Sequence, residues 1–167
     1  MAWPSVYNLD AGQFDQRTTQ ASNRPTIVLV HDAFHTPSHF DPLVRELRET
    51  RYRVLLPQLP SSSSVHQPHV FEADQRAIID LCRPEIEGGR NIIMVLHGYA
   101  GVPGPIAAEM LNRYAITRPG SGFVVKVVFL AAIVVSEGEC VLDVIRPDWL
   151  IQDVRSLRLY RILDSSS

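Results

Sequence analysis

The stretch from Asn91 to Gly104 constrains this chain more than any other. Asn91-Ile92-Ile93-Met94-Val95-Leu96 is polar only at its first residue, the pattern of a strand buried on both faces. His97-Gly98-Tyr99-Ala100-Gly101 follows as a tight, glycine-bearing turn. Ile106, Ala107, Ala108, Met110 and Leu111 then make a run of helical character. Strand, turn and helix in this order, with strands alternating with helices along the rest of the chain, indicate a doubly wound parallel sheet. The chain is therefore read as α/β.

The other segments repeat that alternation. Residues 1–24 are mixed in composition and are expected to form a weakly ordered arm, with a peripheral strand around Ser5–Leu9. Pro25-Thr26-Ile27-Val28-Leu29-Val30 is β-branched and apolar on both faces, as a central parallel strand should be. After His31–Pro37, Ser38 is a candidate cap for a helix carrying Phe40, Leu43, Val44 and Leu47. Arg53–Leu56 reads as a short strand closed by Pro57 and Pro60, and residues 61–69 as a polar loop. Ala73, Ala77, Ile78 and Leu81 predict a helix over Phe71–Cys82, punctuated by Pro84 and Gly88-Gly89.

Beyond the second half of the elbow helix, Arg118–Gly122 is a break, and Phe123–Val135 reads as a fourth buried strand running into a loop. Helical spacing returns over Val141–Leu163. No internal repeat is visible. The expected organisation is an arm (1–24), an α/β domain (25–150) and a helical tail (151–167), with a mostly parallel sheet of about four strands flanked by helices.

Composition narrows the function classes. A chain of 167 residues suggests one domain, which can bury about 70% of its unfolded surface. The net charge of −2 arises from 16 basic and 18 acidic residues without clustering, which argues against nucleic acid or an anionic membrane as the main partner. No run of apolar residues is long enough for a membrane span. Met1-Ala2-Trp3-Pro4 lacks the basic and apolar regions of a secretory signal, so a cytoplasmic protein is expected. Cys82 and Cys140 are too few for a disulfide framework and read as reduced, buried thiols.

Strand, sharp turn and helix in this order frame a nucleophile elbow, whose usual pattern is G-x-S-x-G. Here Leu96 replaces the first Gly, and Gly98 stands at the apex where a reactive side chain would be. The apex conformation costs a non-glycine residue about 1–3 kcal/mol. Glycine adopts it nearly free of strain. The substitution would keep the turn and delete the hydroxyl.

Four segments then carry a resemblance. Pro25-Thr26-Ile27-Val28-Leu29-Val30-His31-Asp32-Ala33-Phe34-His35-Thr36-Pro37-Ser38-His39-Phe40 resembles the opening motif V-L-V-H-G-A-W-H-x-P-x-H-F of small α/β-hydrolases of the esterase and hydroxynitrile-lyase-like branch. Tyr52-Arg53-Val54-Leu55-Leu56-Pro57-Gln58-Leu59-Pro60 is similar to its Y-R-V-x-x-P-D-L-P. His97-Gly98-Tyr99-Ala100-Gly101-Val102-Pro103-Gly104 is similar to H-S-Y-G-G-V-P. Val128-Phe129-Leu130-Ala131-Ala132, with Glu137-Gly138-Glu139, resembles the strand and loop after the elbow. The resemblance implies a truncated α/β-hydrolase core.

Its departures bear on function. Asp32 stands where the family has Gly, and Gly98 where it has the nucleophilic Ser. The family's acid and base follow the elbow, whereas the six histidines here lie at 31, 35, 39, 66, 69 and 97. A conventional triad cannot be assembled from this sequence.

By the resemblance, the backbone N–H groups of Ala33 and Tyr99 would form an oxyanion hole, with Phe34 in the same loop as a ligand-binding residue. Without a nucleophile that pair is an anion or carbonyl nook, or else plain loop amides. His31, His35 and Asp32 lie at a strand's carboxyl end, where open α/β sheets place ligands. They are either an acid–base set or a structural one that bonds loop backbone. His97 reads as a buried, hydrogen-bonded residue. A metal site from His31, His35 and His39 is disfavoured because Pro37 interrupts the helix that their spacing needs. The G-x-x-G-x-x-G spacing from Gly98 to Gly104 is not a dinucleotide loop, so no cofactor is expected.

Three functions stay open on these grounds, and with them whether the chain is an enzyme. The chain is a degenerate hydrolase-fold protein that binds a small molecule or acts as an accessory. Or it is a non-hydrolytic enzyme, a cyclase, isomerase or lyase-like protein using the oxyanion hole with His31 or His35. Or it is a fragment or inactivated form of a serine esterase acting on small esters or lactones. Val124–Leu130 is expected at a sheet edge, apolar on both faces with Lys126 as its guard. A homodimer or a partner chain is expected to cover it.

Overall fold

The computed structural model describes residues 24–62, 70–136, 138 and 144 of the chain. Its four strands are β1 (Thr26–Val30), β2 (Val54–Leu55), β3 (Ile92–His97) and β4 (Val124–Leu130). They form one all-parallel sheet in the order β2-β1-β3-β4. Parallel neighbours need long crossovers. These are supplied by α1 (Asp41–Glu49), α2 (Val70–Glu87) and α3 (Pro103–Ile116). The expected mostly parallel sheet of about four strands flanked by helices is, among the described residues, a sheet of four parallel strands.

Alternation along the strands sorts side chains between the faces. Val28 and Val30 of β1, with Ile92, Met94 and Leu96 of β3, pack against Ile78, Cys82 and Ile86 of α2 and Ala107, Ala108 and Leu111 of α3. Ile27 and Leu29 point the other way, onto Phe40, Val44 and Val54, with Ile93 and Val95 alongside. Both faces of β1 are thus covered, and all five of its residues are buried. A Cβ on Gly104 would lie 2.3 Å from Leu96 Cδ2, so glycine there lets α3 press close to β3.

The register pairs Val28 with Met94 and Val30 with Leu96, which sets the carboxyl ends of β1 and β3 side by side. From β1 the sheet extends to β2 on one side and to β3 and β4 on the other. The loops leaving β1 and β3 flank the crevice at this switch point, where an open α/β sheet binds ligands.

Three expectations need correction. Ser38 does not cap α1: it sits within a 3₁₀ turn, Pro37–Phe40, whose N-cap is Thr36. The Thr36 N–H donates to His39 Nδ1 at 3.0 Å, so the histidine closes the turn that Pro37 opens. The short second strand is trimmed to Val54–Leu55.

The third correction concerns Pro84. α2 does not stop at Cys82 but continues to Glu87, with Pro84 inside it. An internal proline removes one backbone donor and crowds the preceding turn. Here tertiary contacts hold the residues that follow. Ile86 is fully buried. The Glu85 carboxylate, 2% exposed, accepts hydrogen bonds from Thr26 Oγ1 (2.8 Å), Arg53 Nε (3.0 Å) and Arg90 Nε (2.7 Å).

The N-terminal arm up to residue 23, the Ser5–Leu9 strand, loop residues 63–69, Cys140 and the 151–167 tail lie outside the described residues. Cys82 is a buried free thiol. Among the described residues, no helix is long and apolar enough to cross a membrane.

Candidate functional site

β3 ends at His97, and the chain turns at once into a 3₁₀ turn, Gly98–Gly101, before α3. Gly98 sits at φ +57°, the left-handed region that side chains resist. Its carbonyl accepts from the Ile133 N–H at 2.9 Å, which ties the apex to the loop after β4.

The loop after β1 runs directly opposite. Asp32 turns its carboxylate toward this apex, and Oδ1 accepts the backbone N–H of Ala33 at 2.8 Å and that of Tyr99 at 2.7 Å. The two amides expected to act together do converge on one oxygen, and that oxygen belongs to Asp32. A Cβ placed on Gly98 would lie 2.4 Å from Asp32 Cγ and 2.5 Å from Oδ1. No side chain fits at position 98 while the carboxylate stays there. Asp32 Oδ2 lies 3.7 Å from His35 Nδ1.

His31 is fully buried. Its Nδ1 lies 2.7 Å from the Asp32 carbonyl, and its Nε2 lies 3.1 Å from the Leu59 N–H. A carbonyl only accepts and an amide N–H only donates, so Nδ1 carries the proton and Nε2 accepts. Burial lowers the pKa of this imidazole and so favours its neutral form, in which it bridges two loops. Both of its nitrogens are engaged, so it does not combine with His35 and His39 as a metal-ligand set.

The remaining rings gather around a cavity of about 290 Å³ lined by His31, His35, His39, Phe40, His97 and Leu130. His35 meets His39 edge-on at 4.4 Å between ring centroids and His97 at 5.4 Å, and His97 meets Phe40 at 6.1 Å. Phe34 is 60% exposed and is not among the residues that line the cavity. The Tyr99 side chain packs against the α2–α3 core. Burial, together with the Asp74 carboxylate, pushes its phenol far above the usual range. Asp74 is itself buried and accepts the Ser61 N–H at 2.9 Å.

Sequence reasoning singled out Asp32, Ala33, Tyr99, His35 and Gly98, and the fold brings these together. It assigned no part in a ligand site to His97, Phe40 or Leu130. The one signal for His97 and Leu130 is that each is the last residue of a strand in a parallel sheet.

An alpha/beta hydrolase family model matches residues 27–165, most of the chain. The chain belongs to the alpha/beta hydrolase family. The alpha/beta hydrolase nvfD of Aspergillus novofumigatus (strain IBT 16806) is 29% identical over 124 residues. That match covers 74% of this chain and 49% of the relative, so the chain spans about half of that protein's length.

Proposed function

We propose that this alpha/beta hydrolase family member is a cytoplasmic protein that does not cleave esters by a serine route and serves as a small-molecule-binding or accessory protein. The observation that carries this reading is the pair Gly98 and Asp32. The apex has no reactive side chain, and the space in front of it is filled by a carboxylate that already holds both amides. An oxyanion hole stabilises charge only when its donors are free to meet that charge. A proton-transfer enzyme built on this site would have His35 as its base, because His31 is bonded through both nitrogens.

The test is turnover of p-nitrophenyl acetate together with labelling by a fluorophosphonate. No hydrolysis above background and no label are expected. Hydrolysis abolished by that reagent would overturn the reading.

The length of the nvfD relative favours a second reading, in which this sequence is part of a longer esterase. A longer transcript with Ser at position 98 would establish it.

A further proposal concerns assembly. β4 is the outer strand of the sheet among the described residues, and its Val125, Val128, Phe129 and Leu130 are exposed. A second copy of the chain is proposed to pair with this edge, because a long apolar edge strand is otherwise a template for aggregation.

A further inference from the structure

The reading of this chain as a binding protein leaves open what its cavity takes. Resting on that reading, we infer that Asp32 selects the charge of the ligand, so that the cavity accepts a small aromatic ammonium ion and rejects carboxylates and esters.

The two carboxylate oxygens carry different parts of the argument. Oδ1 takes both amides, at 2.8 and 2.7 Å. Paired amides of this kind would otherwise receive the oxygen of an acyl group or a carboxylate. An incoming acid therefore meets an occupied hole and a like charge beside it. Among the described residues Oδ2 makes no hydrogen bond: its near contact is His35 Nδ1 at 3.7 Å, and the Asp32 side chain remains 25% exposed. A partly exposed carboxylate with one oxygen left unbonded is a strong acceptor for an ammonium donor.

The adjoining cavity suits the same ligand. Among the described residues no Lys or Arg lines it; its walls are Phe40, four histidines and Leu130, and Asp32, itself not one of them, stands behind His35 with its Oδ2 3.7 Å from Nδ1. Of these rings, Phe40 is one whose face attracts a cation. A volume of about 290 Å³ accommodates one substituted ring.

The experiment compares benzylamine with benzoate by amide NMR titration of the wild-type chain, D32N and D32A, with the Ala33 and Tyr99 signals as local reporters. It is run near pH 8, above the ordinary histidine range of about 6.5. The wild-type chain should bind benzylamine at least about tenfold more tightly than benzoate. D32N keeps an oxygen in the hole but removes the charge, so benzylamine binding should weaken about tenfold with no gain for benzoate. D32A empties the hole, so benzoate should become the preferred ligand and shift both amide signals.

Equal wild-type affinities, no benzylamine binding, or an unchanged preference in D32A would overturn the inference. If D32A does not fold, undiminished benzylamine binding by D32N overturns it alone. Ester turnover is read separately, so hydrolysis would sink the proposed function without touching the result on ligand charge.

Discussion

The carboxylate of Asp32 stands in the space that a side chain at position 98 would need, with 2.4 Å between its Cγ and a Cβ built on Gly98. The two positions, 66 apart in the chain (98 − 32), therefore compete for one space. Glycine leaves that space at the turn open, and a side chain from the facing loop fills it.

Gly98→Ser should consequently lower stability by about 1–3 kcal/mol, through the left-handed backbone and the displaced carboxylate. Asp32→Gly with Gly98→Ser should recover part of that loss, since the clash is gone and the backbone cost remains. Urea unfolding of the two variants and the parent checks this. Asp32→Gly alone completes the cycle, because it also strands the Ala33 and Tyr99 amides; single-variant costs that simply add in the double variant would show that the two positions are independent.

Glu85 predicts a pH dependence. Burial raises its pKa, but hydrogen bonds from Arg90, Thr26 and Arg53 outweigh burial and leave it at about 2. Its folded value is thus depressed from 4.5. The stabilisation is complete above about pH 4.5 and is lost as pH falls toward 2. The Arg53 and Arg90 side chains are 59% and 46% exposed, so water screens the pairs. Glu85→Gln should cost about 1–3 kcal/mol at pH 7. Melting temperatures from pH 7 to 2 should fall more steeply for the parent than for Glu85→Gln. Parallel curves would remove Glu85 from the acid response.

His31→Ala should destabilise the fold by about 1–3 kcal/mol, because it strands the buried Leu59 N–H and opens a cavity. The folded pKa of His31 lies below its ordinary value of 6.5. Its contribution is therefore complete above about pH 6.5 and is lost as pH falls through the lowered folded value. Denaturant midpoints of the parent and His31→Ala between pH 8 and 5 should converge toward the acid end. A constant gap would mean that the imidazole does not titrate as the buried geometry requires.

The β4 edge gives a test of assembly. Val128 is 37% exposed, whereas Val127 packs against the α2–α3 core, so Val128→Lys adds charge to the edge with less damage inside. Light scattering over a tenfold dilution should find a dimer for the parent and a monomer for Val128→Lys. A parent chain that is monomeric at micromolar concentration, with or without the added lysine, would show that no second copy pairs there.

Much of this architecture is legible along the chain, for a local reason. The apolar runs at Thr26–Val30 and Ile92–His97, with helical spacing between them, report which faces are buried, and that periodicity is a property of neighbouring residues. Gly98 is equally legible, because a turn apex and its missing hydroxyl are written in one short motif. The continuation of α2 through Pro84 was not, since the contacts of Glu85 with Thr26, Arg53 and Arg90 reach across the chain.

The sequence by itself determined the alternation of strands and helices, the sharp turn after β3 and the absence of a nucleophile there. Only the tertiary structure decided what Asp32 does. In sequence it reads as an acid between two histidines and as a candidate for proton transfer. In the fold, the register of β1 against β3 brings the Tyr99 amide, 67 residues away, within 2.7 Å of its carboxylate. Local patterns encode which way a side chain faces. Which backbone amide waits on the other side depends on how two distant loops meet.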